Sequence, residues 1–295
     1  MAESTERLAV VTGANKGIGF AICQQLASNG IKVVLAARDE KRGVEAVEKL
    51  KELALSGDVV FHQLDVTDSA SIESFVDFIK NQFGKVDILV NNAGIGAHVN
   101  GEALSSLGVV EDPNQIDWSK IFYENNEIVE NILRTNYFGT KEFTTVLIPL
   151  LQSSTSPKIL NVSSSIGRLE ILPNGRPKEV LSDVENLAEE KIDELMNEFL
   201  MDYKEGSHEA KGWPLANSAY IVSKAAVNAY TRVLAKKYSC FGINAISPGY
   251  IKTDMNGGNG ALTSDEGAEP IVKLALLKDG SPSGCFFSRG EEKSF

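Results

Sequence analysis

The chain has 295 residues, 43% of them apolar and 23% charged, and carries a formal net charge of −11. That length suits one large α/β core over residues 1–295, and a broadly acidic surface excludes nucleic acid and anionic membrane as natural partners, leaving a small molecule. No window is long and apolar enough to span a bilayer, the first seven residues are polar, unlike a signal peptide, and Cys23, Cys240 and Cys285 show neither disulfide nor zinc spacing; the expectation is a cytoplasmic protein with three buried free thiols and no metal.

Short β-branched runs recur from Leu8 to Thr12, Lys32 to Ala37, Val59 to Leu64, Val86 to Val90, Lys158 to Val162 and Ile243 to Ile246, with Gly284 to Ser288 as an edge strand. Helix-period segments separate them. Runs apolar on both faces, such as Val86-Asp-Ile-Leu-Val90, suit a parallel sheet covered by helices on both sides, so the chain reads as doubly wound α/β.

Between the first strand and the first helix stands Thr12-Gly-Ala-Asn-Lys-Gly-Ile-Gly19. Glycines let the backbone turn tightly, and the helix behind them offers unpaired N–H groups to an anion, so the segment is a tight turn or a pyrophosphate cradle. Its first glycine gap is three residues, against one in the G-x-G-x-x-G fingerprint. The second strand ends in Leu35-Ala-Ala-Arg38, without the carboxylate that serves the ribose in an NAD site. Arg38, Arg42 and Lys16 read singly as solvated charges and together as attractors of a 2′-phosphate.

After the fourth strand, Asn91-Asn-Ala-Gly94 lies at the strand-end rim where open α/β sheets bind ligands, and its Asn side chains either pin a neighbouring strand or touch the ligand. The interval from Gly96 to about Asp117 breaks the rhythm. A helical stripe follows through Ile121, Phe122, Asn125, Ile128, Val129, Ile132 and Leu133, with Asp117 as its expected cap. The fifth strand ends in Asn161-Val-Ser-Ser-Ser-Ile-Gly167, which brings hydroxyls to the same rim and sets the Asn161 sequon inside the core. His62, His98 and His208 are scattered, and neither G-x-S-x-G nor H-E-x-x-H occurs, so hydrolase and metal-dependent chemistry has no support.

A second long interval, from about Arg168 to Ala216, carries Ile192, Leu195, Met196, Phe199, Leu200 and Tyr203 as one apolar face, suited both to packing and to a lid. Ser218-Ala-Tyr-Ile-Val-Ser-Lys224 then places Tyr220 and Lys224 one helical turn apart. A fixed ammonium favours phenolate and would draw the Tyr220 pKa down from about 10 toward proton exchange with a substrate oxygen. Taken alone, such a pair also occurs on ordinary amphipathic helices.

Thr12 to Gly19, Asp65-Val66, Asn91 to Gly94, Asn136, Ser164, Tyr220 with Lys224, and Pro248-Gly249 followed by Ile251 and Thr253 stand together in an order that resembles the short-chain dehydrogenase/reductase family over nearly the whole chain. The resemblance implies a Rossmann-type sheet of about seven parallel strands binding a nicotinamide dinucleotide, and the basic residues select NADP(H). It implies dinucleotide contacts from Gly13, Asn15, Lys16, Gly17, Ile18 and Gly19 in the turn, from Arg38 and Arg42, and from Asp65 and Val66 at the adenine. Further contacts fall to Asn92, Ala93, Gly94, Pro248 and Gly249, with Ile251 and Thr253 at the carboxamide. By the same resemblance Tyr220 exchanges the proton and Ser164, rather than Ser163 or Ser165, holds the substrate oxygen. Lys224 would lower the tyrosine pKa and grip the nicotinamide ribose, and Asn136 would hold a water in the proton relay.

Ser164 and Tyr220 are separated by a long insert, about residues 168–216, where most members have a short connection. The insert resembles that of the monomeric carbonyl reductases. Gly212-Trp-Pro214 and Pro282-Ser-Gly-Cys-Phe-Phe287 resemble the plant branch of neomenthol (menthone) and salutaridine reductases, in which the insert covers the face that other members use to dimerise. The resemblance thus implies an NADPH-dependent monomer reducing a cyclic ketone such as a monoterpenoid, menthone to neomenthol in type. The alternatives are an alkaloid ketone of salutaridine type, an enone C=C bond, which a related plant reductase reduces with glutamate in place of the tyrosine, and a non-catalytic NADP(H)-binding regulatory protein. Ser247 stands before Pro248 where many relatives have cysteine.

Overall fold

The structure is a computed structural model that describes residues 7–106, 120–278 and 282–295. Its strands are β1 (Leu8–Thr12), β2 (Lys32–Ala37), β3 (Val59–Gln63), β4 (Ile88–Asn91), β5 (His98–Val99), β6 (Phe122–Tyr123), β7 (Lys158–Val162), β8 (Gly242–Ser247), β9 (Phe286–Ser288) and β10 (Glu291–Lys293). Its α-helices are α1 (Gly17–Ser28), α2 (Glu40–Glu52), α3 (Ser69–Gln82), α4 (Gly101–Ser106), α5 (Asn126–Leu133), α6 (Thr140–Leu151), α7 (Arg176–Ser182), α8 (Glu189–Lys204), α9 (Ser218–Lys237) and α10 (Ser264–Ala275).

β5 and β6 pair with each other, and the remaining strands form one sheet in the order β10-β9-β8-β7-β4-β1-β2-β3. From β3 to β9 every pairing is parallel. Alternate residues of each strand enter opposite layers: Leu8 and Val10 meet α3, α5, α6 and α9, whereas Ala9 and Val11 meet α1, α2 and α10. The chain leaves β1 toward β3 and returns to β4 on the other side of β1, so the strand ends diverge there and open a crevice.

Three features differ from the sequence expectation. The parallel sheet gains an antiparallel eighth strand, β10, against β9. Glu291-Glu-Lys293 has little strand propensity; the two-residue turn Arg289-Gly290, with φ of 52° and 86°, folds it back. The helix expected from Ile121 begins only at Asn126, because Phe122 and Tyr123 pair with Val99 and His98. Its cap is Asn125, whose Oδ1 accepts from the Ile128 N–H at 2.8 Å; Asp117 lies outside the described residues. Finally, the three cysteines are free but only Cys23 is buried; Cys240 is exposed and Cys285 intermediate.

The insert folds into α7 and α8. Ile192, Leu195, Met196 and Phe199 are buried against α5 and α9, which stabilises the docking by about 1.5–3 kcal/mol per side chain. Polar ties frame that seam. The Tyr137 hydroxyl donates to Asp193 at 2.8 Å, Lys141 pairs with the same carboxylate, and Lys237 pairs with Glu189 at 2.9 Å.

Candidate active site

The glycine turn sits where β1 and β4 diverge, and its shape requires its glycines. Gly13 and Gly17 have φ of 62° and 58°, and a Cβ on Gly13 would come within 2.8 Å of the Ala93 Cα. At Gly19 a Cβ would lie 2.5 Å from the Asn92 Nδ2. Asn92 realises the pinning role open in the sequence: its Nδ2 donates to the Thr12 and Gly13 carbonyls, while the Thr12 Oγ1 accepts from the Asn92 and Ala93 N–H groups. Asn91 likewise bonds Thr144 and Asn161, which places the sequon asparagine in the buried core.

Above these strand ends lies a cleft of about 2440 Å³. A drug-sized ligand needs roughly 300–1,000 Å³, so a dinucleotide and a second molecule fit together. Gly13, Asn15, Lys16, Gly17, Ile18 and Gly19 line it, as do Arg38, Arg42, Asp65, Val66, Asn92, Ala93 and Gly94. Pro248, Gly249, Ile251 and Thr253 complete that half, and Ser164, Tyr220 and Lys224 stand within the same cleft. A Cβ at Gly17 would meet only the Thr253 Cγ2, 3.9 Å away, so the bare glycine presents open backbone to an anion. The residues present therefore fit a dinucleotide phosphate.

The charges near this end are more tied than the sequence indicates. Lys16 Nζ lies 2.5 Å from Asp254, and that hydrogen bond holds the Asp254 carboxyl below its usual range. Arg42 pairs loosely with Asp39 at 3.6 Å, and Arg38 is exposed. The Asp65 carboxylate turns back on its own loop, accepting from the Thr67 N–H and hydroxyl at 2.9 and 2.7 Å.

At the end of the cleft that holds Tyr220, a Cβ on Gly167 would lie 2.6 Å from the Lys224 Cβ. The absence of that Cβ lets the short turn Ser165–Gly167 seat directly on α9. Ser164 caps this turn, its Oγ accepting from the Ile166 N–H at 3.4 Å, and it lines the cleft together with Tyr220. Its neighbours are engaged elsewhere: Ser163 bonds the Lys224 carbonyl, and Ser165 bonds Ser247 and Ser288. Ser247 thus serves the turn that carries Ser164.

Lys224 Nζ donates to the Val162 carbonyl at 2.9 Å and lies 5.6 Å from the Tyr220 ring centroid. Burial pushes Tyr220 up to about 12, the Ser164 side chain opposing it, and burial lowers Lys224 to about 8. The expected depression of the phenol by its lysine is therefore not met in the chain alone. Desolvation dominates the phenol, and the ammonium is directed at the Val162 carbonyl.

Asn136 stands just behind the cleft wall, 1% exposed, on a π-helical turn, Arg134–Gly139, between α5 and α6. Its Oδ1 accepts from the Ile95 N–H at 2.9 Å, and its Nδ2 donates to the Ile95 carbonyl and to the Ser223 Oγ. Both amide hydrogens are thereby engaged, leaving one lone pair for a water.

The opposite half of the cleft is apolar, with Phe122, Ile166, Ile171, Trp213, Leu215 and Met255, none identified as site residues from sequence. Only the two ends of the insert contribute; α7 and α8 pack at the side. Asp202, 3% exposed, fixes the exit segment by accepting from the Trp213 Nε1 at 2.8 Å and pairing with Lys211. The signal for this anchor was Gly212-Trp-Pro214.

A family model described as short chain dehydrogenase matches residues 7–174, and one described as enoyl-(acyl carrier protein) reductase matches 206–283. The (+)-neomenthol dehydrogenase of Arabidopsis thaliana is 53% identical over 298 residues, with all of both chains covered. The structure of salutaridine reductase from Papaver somniferum superposes with a TM-score of 0.89 at 50% identity, covering 96% of this chain and 99% of that one. Menthone neomenthol reductase from Mentha piperita gives 0.86 at 48%, covering 98% and 100%. With the glycine turn, Ser164, Tyr220 and Lys224 gathered in one cleft, the chain belongs to the short-chain dehydrogenase/reductase family of oxidoreductases.

Proposed function

We propose that this protein is an NADPH-dependent ketone reductase acting on an apolar cyclic ketone, a monoterpenoid of menthone type, to give the secondary alcohol. The observation that carries the reading is the gathering of Ser164, Tyr220 and Lys224 in one cleft with the basic, glycine-lined residues and the apolar ones. The relatives named for neomenthol dehydrogenase and menthone neomenthol reductase support the substrate class. Arg38, Arg42 and Lys16 support the phosphorylated dinucleotide. One domain and a cytoplasmic monomer belong to the same reading, α8 covering the outer helical face.

The dinucleotide, when bound, supplies hydride to the carbonyl carbon. Gly13, Gly17 and the start of α1 would hold its pyrophosphate, Arg38 and Arg42 its 2′-phosphate, and Lys224 its ribose. Ser164 donates a hydrogen bond to the substrate oxygen and stabilises the developing alkoxide. Tyr220, held up near 12, keeps its proton at neutral pH and delivers it to that oxygen. Trp213 and Leu215 close the apolar half around the ring.

Mixing protein, NADPH and a panel of cyclic ketones, an alkaloid ketone among them, tests the reading through loss of the reduced-nicotinamide absorbance. Turnover of menthone-like ketones supports it; faster turnover of the alkaloid ketone moves the substrate to the salutaridine type. With an enone, an allylic alcohol supports carbonyl reduction and a saturated ketone overturns it. Nicotinamide binding with no turnover across the panel would favour the regulatory alternative.

A further inference from the structure

Helix α9 carries Tyr220 and Lys224, and its first turn is held from outside the helix. A helix start needs acceptors for its N–H groups. Asn217, in the capping place, has left-handed φ and ψ of 50° and 31°, and its side chain makes no cap. Glu124 supplies the acceptors instead. Its Oε2 accepts from the Ser218 N–H at 2.8 Å and the Ser218 hydroxyl at 2.9 Å, and its Oε1 accepts from the Ala219 N–H at 3.0 Å. Ser218 and Ala219 are both 0% exposed, so water is poorly placed to replace the carboxylate. A negative group also complements the positive end of the helix.

Glu124 follows β6, whose Phe122 lines the cleft. It precedes Asn125, the cap of α5, and α5 leads to Asn136, which bonds Ser223 on α9. Tyr220 is the residue immediately after the two that Glu124 holds. We infer that Glu124 is a positioning residue for Tyr220, coupling the cleft-lining strand pair β5–β6 to the helix that presents the phenol to the cleft. This rests on the ketone-reductase reading, since the phenol must meet the substrate oxygen.

The test compares Glu124→Gln with Asp68→Ala. Asp68 caps α3 through the Ala70 N–H at 3.1 Å, a single exposed carboxylate cap of another helix, outside the cleft lining. A misplacement of about 1 Å costs on the order of 100-fold, so Glu124→Gln is expected to lose about ten-fold or more in kcat, with the dinucleotide KM unchanged. Asp68→Ala is expected to lose thermal stability and keep kcat. Amide hydrogen exchange across residues 218–221 is expected to accelerate in Glu124→Gln alone, a readout independent of turnover. An unchanged kcat in Glu124→Gln, unchanged exchange there, or an equal loss of kcat in Asp68→Ala would each overturn the inference. An unmodified protein without ketone turnover contradicts the reductase reading instead, and the exchange measurement still decides whether Glu124 holds the helix.

Discussion

Tyr220 and Lys224 show how a side chain's environment outweighs its sequence spacing. One helical turn brings them together, yet burial moves both toward their neutral forms, the phenol to about 12 and the ammonium to about 8. A neutral phenol is the form that protonates a ketone oxygen, so reduction is expected to keep its proton donor across the neutral range. Loss of the Lys224 ammonium makes reduction fall as pH rises through about 8, a limb that a pH profile of kcat/KM will show. The same shift has a stability consequence. Lys224 is lowered from 10.5 to about 8 on folding; between those values the unfolded chain binds more protons, so stability rises with pH and the cost is complete below 8. Lys224→Met is therefore expected to abolish reduction while raising stability, more at pH 7 than at pH 10, as urea unfolding at the two values will measure. For the dinucleotide, Arg38→Ala is expected to erase the preference for NADPH over NADH. An unchanged ratio of kcat/KM values would assign the 2′-phosphate elsewhere.

Elements were legible where one local pattern acts alone. β1, β2 and β7 have the bounds expected from their β-branched runs, because a strand buried on both faces carries a near-continuous apolar run. The start of α5 was obscured because Phe122 belongs both to a helical stripe and to a strand, and only pairing with Val99 decides between them. β10 has no strand signal apart from the turn before it. The insert was legible as an amphipathic helix, but which part reaches the cleft depends on Asp202, a tertiary anchor invisible to periodicity. Asp202→Ala leaves the buried Trp213 Nε1 unpaired, and a loss of about 1–3 kcal/mol is expected by urea unfolding. A raised KM for the ketone should accompany it, because Trp213 and Leu215 line the apolar half. An unchanged KM would remove the insert's end from the substrate site.

Across the whole molecule, a sheet order that reverses beside β1 opens the crevice, and two helical layers fix its walls. The glycine-lined half is built from local motifs, and the residues that line it were readable in the sequence. The apolar half joins β6, the insert's ends and Met255 from distant parts of the chain, so only the fold brings it together. Docking of α8 on the outer helical face predicts a monomer of 31.9 kDa in light scattering; a stable dimer would contradict that role for the insert. The central claim concerns proton delivery to a ketone. Its most direct test is Tyr220→Phe, assayed with NADPH and a menthone-like ketone alongside dinucleotide binding. The account predicts nearly complete loss of reduction with binding retained, and full reduction by that variant would contradict it.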